Sequence, residues 1–262
     1  DYADDVTFKV KVVARHTVTL DETSTTAPAA AEDVNVRVLR TIKADEWSTI
    51  VLPFAMTEAQ CKAAFGSDVQ IGDFTGYDTI VDEEENIVGI TVSFEDANAI
   101  ETNHPYIIKV SQAVSEFTVD GVDIDPEDVP CVALGTTTGK GKNAVYHPMD
   151  FTGTYVADFD FYNDAQSRAL FLSGNKFYYA SENTMHMKAY RAYFDFDDVL
   201  TEVDDASASR ISMTFGGEVT GISSMHHSQC TMHHDIYSLS GQRVESPAKG
   251  IYVIEGKKVI IK

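Results

Sequence analysis

Four of the chain's eight histidines and one of its three cysteines fall within ten residues, Met225-His226-His227-Ser228-Gln229-Cys230-Thr231-Met232-His233-His234. Neutral imidazoles and a thiolate are good ligands for zinc, copper or nickel, and this spacing would let one loop wrap an ion. The same run also reads as a solvated linker between domains. That reading is favoured, because structural metal sites need rigid scaffolding and partners that orient the ligands. His226, His227, His233 and His234 are therefore candidate metal ligands, and no cofactor is expected.

Calcium takes several carboxylate oxygens converging from one loop. Acidic residues recur as Asp120, Asp123, Asp125, Glu127 and Asp128, as Asp158, Asp160 and Asp164, and as Asp195, Asp197 and Asp198. The first run, DGVDIDPED, comes nearest to a calcium loop but lacks the order of an EF-hand. Solvated strand edges, whose charge blocks edge-to-edge pairing, account for it better. A glycosidase needs two carboxylates roughly 5 to 10 Å apart, and 41 acidic residues supply such a pair by chance. Neither G-x-S-x-G nor H-E-x-x-H occurs, and Thr138-Gly139-Lys140-Gly141-Lys142 lacks the spacing and following helix of a phosphate loop. No catalytic residue is assigned. Phe177, Tyr178, Tyr179, Tyr190, Tyr193, Phe194 and Phe196 form an aromatic concentration that could stack on sugars from an outer sheet face. Core packing and cross-strand pairing explain the same residues equally well.

Electrostatics narrows the partners. The 20 basic and 41 acidic residues leave a formal charge of -21, which repels nucleic acid and anionic lipid. The end of the chain differs: Asp235 to Lys262 carries five basic residues against three acidic ones, a local +2. Cys61, Cys131 and Cys230 show no CxxC and no disulfide pattern, and Cys61 reads as a small apolar residue. No run approaches the roughly 20 apolar residues of a membrane span. The numbering starts at polar Asp1 without an apolar leader, so any export signal is expected to have been removed.

The elements that must position these groups read as strands. Around the single tryptophan, Trp47, the residues Ile50, Val51, Leu52 and Phe54 suggest a buried strand, with Pro53 at a strand end or edge. Thr57 with Gln60 predicts a capped helix over residues 58–65, stopped by Gly66. Val34, Val36 and Val38 alternate strictly and share one face. Residues 6–20, 69–77, 86–94, 105–110, 116–124, 131–134, 151–161, 168–181, 187–196 and 210–215 are also strand-like, and Asp120-Gly121 and Ser173-Gly174-Asn175 read as tight turns. Apart from 58–65 no helical period is sustained, which disfavours a parallel α/β sheet. The expectation is an all-β fold, an antiparallel, jelly-roll-like β-sandwich. An N-terminal strand and linker span 1–33, the sandwich 34–216, and a histidine-rich linker 217–234. The strands IYSL, GIYVI and KVIIK form a small unit over 235–262.

Two stretches add a resemblance. WSTIVLPFAMTEAQCKAAFG with DFTGY, NIVGITVSFEDANAIETNHPYIIKV, FLSGNKFYYA and MKAYRAYFDF resembles a recurrent module of secreted and cell-surface proteins of Bacteroides and Prevotella type bacteria. IYSLSGQRVESPAKGIYVIEGKKVIIK is similar to the short C-terminal β-domains related in pattern to type IX secretion sorting domains. The resemblance implies a secreted or outer-surface β module without an established activity, and it carries over no catalytic residue. The resulting expectation is a non-catalytic binding or adhesion module for extracellular glycan or for host or bacterial surface protein. A carbohydrate-active enzyme using paired carboxylates, or a structural spacer, is the alternative.

Overall fold

A computed structural model describes residues 14–81, 83, 87–138, 142, 145–147, 149–160, 169–179, 186–196, 210–219, 223–224, 236–238, 250–254 and 257–261. Two compact units, 1–227 and 228–262, divide the chain within the stretch expected to be a linker.

In chain order, the first unit begins with β1 (Thr17–Asp21), β2 (Ala31–Ile42), β3 (Ser48–Ile50) and the helix α1 (Glu58–Phe65). It continues through β4 (Gln70–Val81), β5 (Ile87–Asp96), β6 (Tyr106–Lys109), β7 (Val114–Ile124) and β8 (Cys131–Ala133). There follow β9 (Thr136–Thr138), β10 (Val145–His147), β11 (Asp150–Thr154), β12 (Ala169–Ser173), β13 (Lys176–Tyr179) and β14 (Arg191–Asp195). Last come β15 (Arg210–Phe215), β16 (Glu218–Val219) and β17 (Ser223–Ser224). The second unit holds β18 (Ile236–Ser238), β19 (Gly250–Ile254) and β20 (Lys257–Ile261) as one antiparallel sheet in that order, the three strands expected there.

The fold is all-β, with α1 the one helix among the described residues. Its sandwich is made by the sheet β16-β15-β5-β4-β6-β3 and the sheet β13-β12-β14-β11-β8. Phe74 and Phe94 of the first meet Phe151 and Phe194 of the second, the latter two stacked 4.1 Å apart. A second core of mainly aliphatic residues lies under the sheet β1-β2-β7. Val34, Val36, Val38 and Ile42 point into it, as their alternation predicts.

The segment around Trp47 joins the two cores. Trp47 packs in the aromatic one, against Phe215, whereas Ile50, Val51, Leu52 and Phe54 fill the aliphatic one. The strand expected through Phe54 stops at Ile50. Pro53 cannot donate to a ladder, and the chain beyond Ile50 serves as an apolar plug whose polar backbone bonds other loops, with Val51 N donating to Tyr190 O and Pro53 O accepting from Asp125 N. Helix α1 has the expected bounds, with a full capping box between Thr57 and Gln60 and Gly66 closing onto Lys62 O.

Three further expectations are corrected. Asp120-Gly121 makes no hairpin: Gly121, at φ 65°, sits inside the continuous β7 where the pairing with β2 shifts register, so its positive φ serves a β-bulge. Among the described residues two strand pairings are parallel, β1 with β2 and β15 with β5, as is the isolated bridge of Ala44 with Val110. Residues 21–33, read as a linker, begin in β1 and end in β2, and Ala157 N and Ala189 N donate to Ser24 O and Glu22 O, tying the connection to the turns after β11 and before β14. By contrast, the Ser173-Gly174-Asn175 turn is present: Gly174 and Asn175 both have positive φ, the requirement of a two-residue type I′ hairpin. Of residues 6–20, those before 14 lie outside the described residues.

Candidate functional site

The expected site residues are placed unevenly. His226, His227, His233 and His234 lie outside the described residues, as do Cys230, Asp164, Asp197 and Asp198. Among the described residues, no three His, Cys, Asp or Glu side chains converge as a metal site. The acidic run from Asp120 is instead pinned along an extended path. Asp123 accepts from Asp33 N at 2.7 Å, and Asn103 bridges Asp125 O and Glu127 N. Of the aromatic concentration, Phe177, Tyr190, Tyr193, Phe194 and Phe196 are buried in the core, half-buried Tyr178 stacks on Phe171, and the Tyr179 side chain lies outside the described residues. The thiols are quiet. Burial pushes Cys61 up to about 11 and raises Cys131 against a Thr152 hydrogen bond, leaving neither a thiolate at neutral pH.

Two hollows lined by described residues open on the first unit. The first, about 360 Å³, is a cleft between the connection at Ala27 and Pro28 and the exposed loop Pro126-Glu127-Asp128-Val129. Its floor is the end of β11 with Tyr155 and Val156. That floor is closely packed for a local reason: Gly153 lets β11 approach Val51 so closely that a Cβ there would meet Val51 Cγ1 at 2.7 Å. Tyr155, whose phenol burial pushes far above its ordinary value, donates to Asn103 Oδ1 at 2.7 Å and so braces the loop. Val129, 63% exposed, is the one large apolar side chain standing free among the described residues.

The second hollow, about 280 Å³, was not anticipated from the sequence. Lys43, Lys188 and Arg191 border it together with Thr41, Ser48 and Ser173. Two of its lining cations are tied to Glu22, 6% exposed, whose Oε1 accepts from Lys188 Nζ at 2.8 Å and Oε2 from Arg191 Nη2 at 2.7 Å. Burial alone would raise the Glu22 pKa, but the Lys188 donor and the two positive charges outweigh it, and the net shift is downward. The turn before β14 makes the double grip possible. Tyr190 takes a left-handed φ of 62°, a costly conformation for a bulky residue, and reverses the chain so that Lys188 and Arg191 face the same carboxylate.

Behind this cluster lies Arg40, fully buried at an in-facing position of β2. Its Nη2 donates to Thr49 O and, at 3.3 Å, to Ser48 Oγ, while Nε and Nη1 have no partner. Burial, reinforced by the Arg191 charge and opposed by Glu22, pushes the guanidinium well below its ordinary pKa. A signal for it exists in the sequence: V-x-V-x-V-x-R-x-I puts Arg40 on the apolar face of the alternation.

No family model matches this chain, and no similarity to a curated protein or to a solved structure is found.

Proposed function

We propose that this chain is a non-catalytic binding or adhesion module of a secreted or outer-surface protein, directed at glycan or protein ligands. The observation that carries the reading is the cleft beside Pro126–Val129: a solvent-open recess with a closely packed strand floor and a rim of exposed carboxylates beside an exposed valine. At about 360 Å³ it stands near the lower end of ligand pockets, roughly 300 to 1,000 Å³, a size suited to a short saccharide or a peptide turn. Recognition groups on loops held by a rigid scaffold are the usual arrangement of binding proteins. The resemblance to secreted modules of Bacteroides and Prevotella type bacteria supports the location.

The competing reading, a carbohydrate-active enzyme, draws on Glu127 and Asp128 bordering one cleft. Both are exposed to water at the rim, whereas the acid of a glycosidase works from an enclosed, water-poor setting. The test is a glycan and mucin array run beside chromogenic glycosides. Retention without turnover, weakened by Asp128→Asn or Val129→Ala, is the expected result. Hydrolysis that vanishes in Glu127→Gln would overturn it, and silence in both assays would leave a structural spacer.

A further inference from the structure

We infer that the hollow between β14, the β12–β13 turn and the Lys43–Ser48 segment is a binding site for the oxyanion group of an acidic sugar, a carboxylate or sulfate ester on a glycan. This rests on the glycan-binding reading above but uses a different site. Lys43, Lys188 and Arg191 line the hollow with Glu46, Arg40 lies buried behind them, and Glu22 and Asp21 are the further carboxylates beside Lys188: four cations against three carboxylates in a chain whose total charge is -21. At physiological ionic strength charges are screened over roughly 8 Å, so the local excess governs what enters the hollow. The overall negative charge still turns away long polyanions and favours a single anionic group.

The donors are arranged to serve such a group. Glu22 takes one bond from Lys188 and one from Arg191, which leaves each with further N–H groups at the rim, the two side chains being 53% and 26% exposed. Lys43 is 70% exposed and only loosely tied to Glu46 at 3.5 Å. Ser48 accepts from Arg40, so its own O–H remains available to donate into the hollow. Arg40, with two unpartnered N–H groups and no exposed surface, adds a fixed positive charge behind that hydroxyl. It is a positioning residue, acting through Ser48. The hydroxyls of Thr41 and Ser173 suit sugar hydroxyls, and about 280 Å³ accommodates one pyranose ring rather than a peptide backbone.

Titration calorimetry of the full chain at constant ionic strength tests the assignment, with inorganic sulfate, glucuronate, neutral methyl glucoside and a glutamate-rich peptide as probes. Sulfate and glucuronate are expected to bind and the glucoside not to, with Lys43→Gln and Lys188→Gln each weakening binding at least fivefold. Ser48→Ala is expected to weaken glucuronate in the same direction, and Lys43→Gln guards against loss of folding because that residue is exposed. Anion binding unchanged in Lys43→Gln and Lys188→Gln, or no preference over chloride, overturns the site. Tighter binding of the peptide than of glucuronate overturns the sugar assignment. Retention of acidic glycans with full affinity in all three variants sinks this inference and leaves the binding module standing. Sulfate binding at the hollow without any glycan retention sinks the sugar assignment together with the glycan reading, leaving a bare anion site.

Discussion

The two hollows differ in what their charged groups do when no ligand is near. In the cleft, Glu127 and Asp128 stand in water at the end of a loop, and the fold is held by other atoms: Asn103, Tyr155 and the Gly153 approach. In the cationic hollow, the groups that would meet a ligand are the same ones that neutralise buried Glu22 and knit β2 to the turn before β14. The cleft separates recognition from stability. The hollow merges them, so substitutions in the two regions should have opposite profiles.

The largest effect is expected at the merged site. Glu22→Gln leaves Lys188, Arg191 and buried Arg40 without their shared counter-charge; solvent around Lys188 and Arg191 softens the loss, leaving about 3 kcal/mol, the lower end of what breaking a buried pair costs. For a unit of this size that is a fall in Tm of roughly 6 to 12 °C; an unchanged Tm would erase the contrast. Next comes Gly153→Ala, where the added methyl must displace Val51 and overpacking costs about 1 to 3 kcal/mol. A stability change confined below this range would mean that the cleft floor yields despite its close packing.

The pH dependence sharpens the comparison further. The folded pKa of Glu22 lies below its ordinary 4.5, so the stability it contributes is complete above that value and drains away as pH falls through the lowered one. Acid titration of Tm should show this loss in the native chain and a smaller slope below pH 4.5 in Glu22→Gln. Smallest of all, Glu127→Gln and Asp128→Asn should move stability by no more than about 0.5 kcal/mol while changing ligand retention. A larger change in denaturant midpoint would mean that the cleft, too, merges its roles.

Legibility in the sequence followed the same divide. Local chemistry was readable: the capping box of Thr57 and Gln60, the valine alternation of β2, and the type I′ turn at Gly174 and Asn175 all depend on neighbours a few residues apart. The short range that made Asp120-Gly121 look like a hairpin also misled, because a positive φ serves a bulge as well as a turn, and only the pairing of β7 with β2 decides between them. The ionic cluster was hidden for a further reason. Arg191 is far along the chain from Glu22 and Arg40 and meets them only after two sheets have come together, although Arg40 betrayed itself by occupying an apolar position. The aromatic residues of β13 and β14 were visible, but whether they faced solvent or core depended on which sheet covered them.

The parallel pairing of β15 with β5 has a consequence for biosynthesis. Residues 210–215 complete a sheet whose neighbouring strand, 87–96, leaves the ribosome more than a hundred residues earlier. During that interval the rim of β5 is an unsatisfied row of amides and carbonyls, open to adhesion between nascent chains. Any truncation before Phe215 would make that temporary hazard permanent.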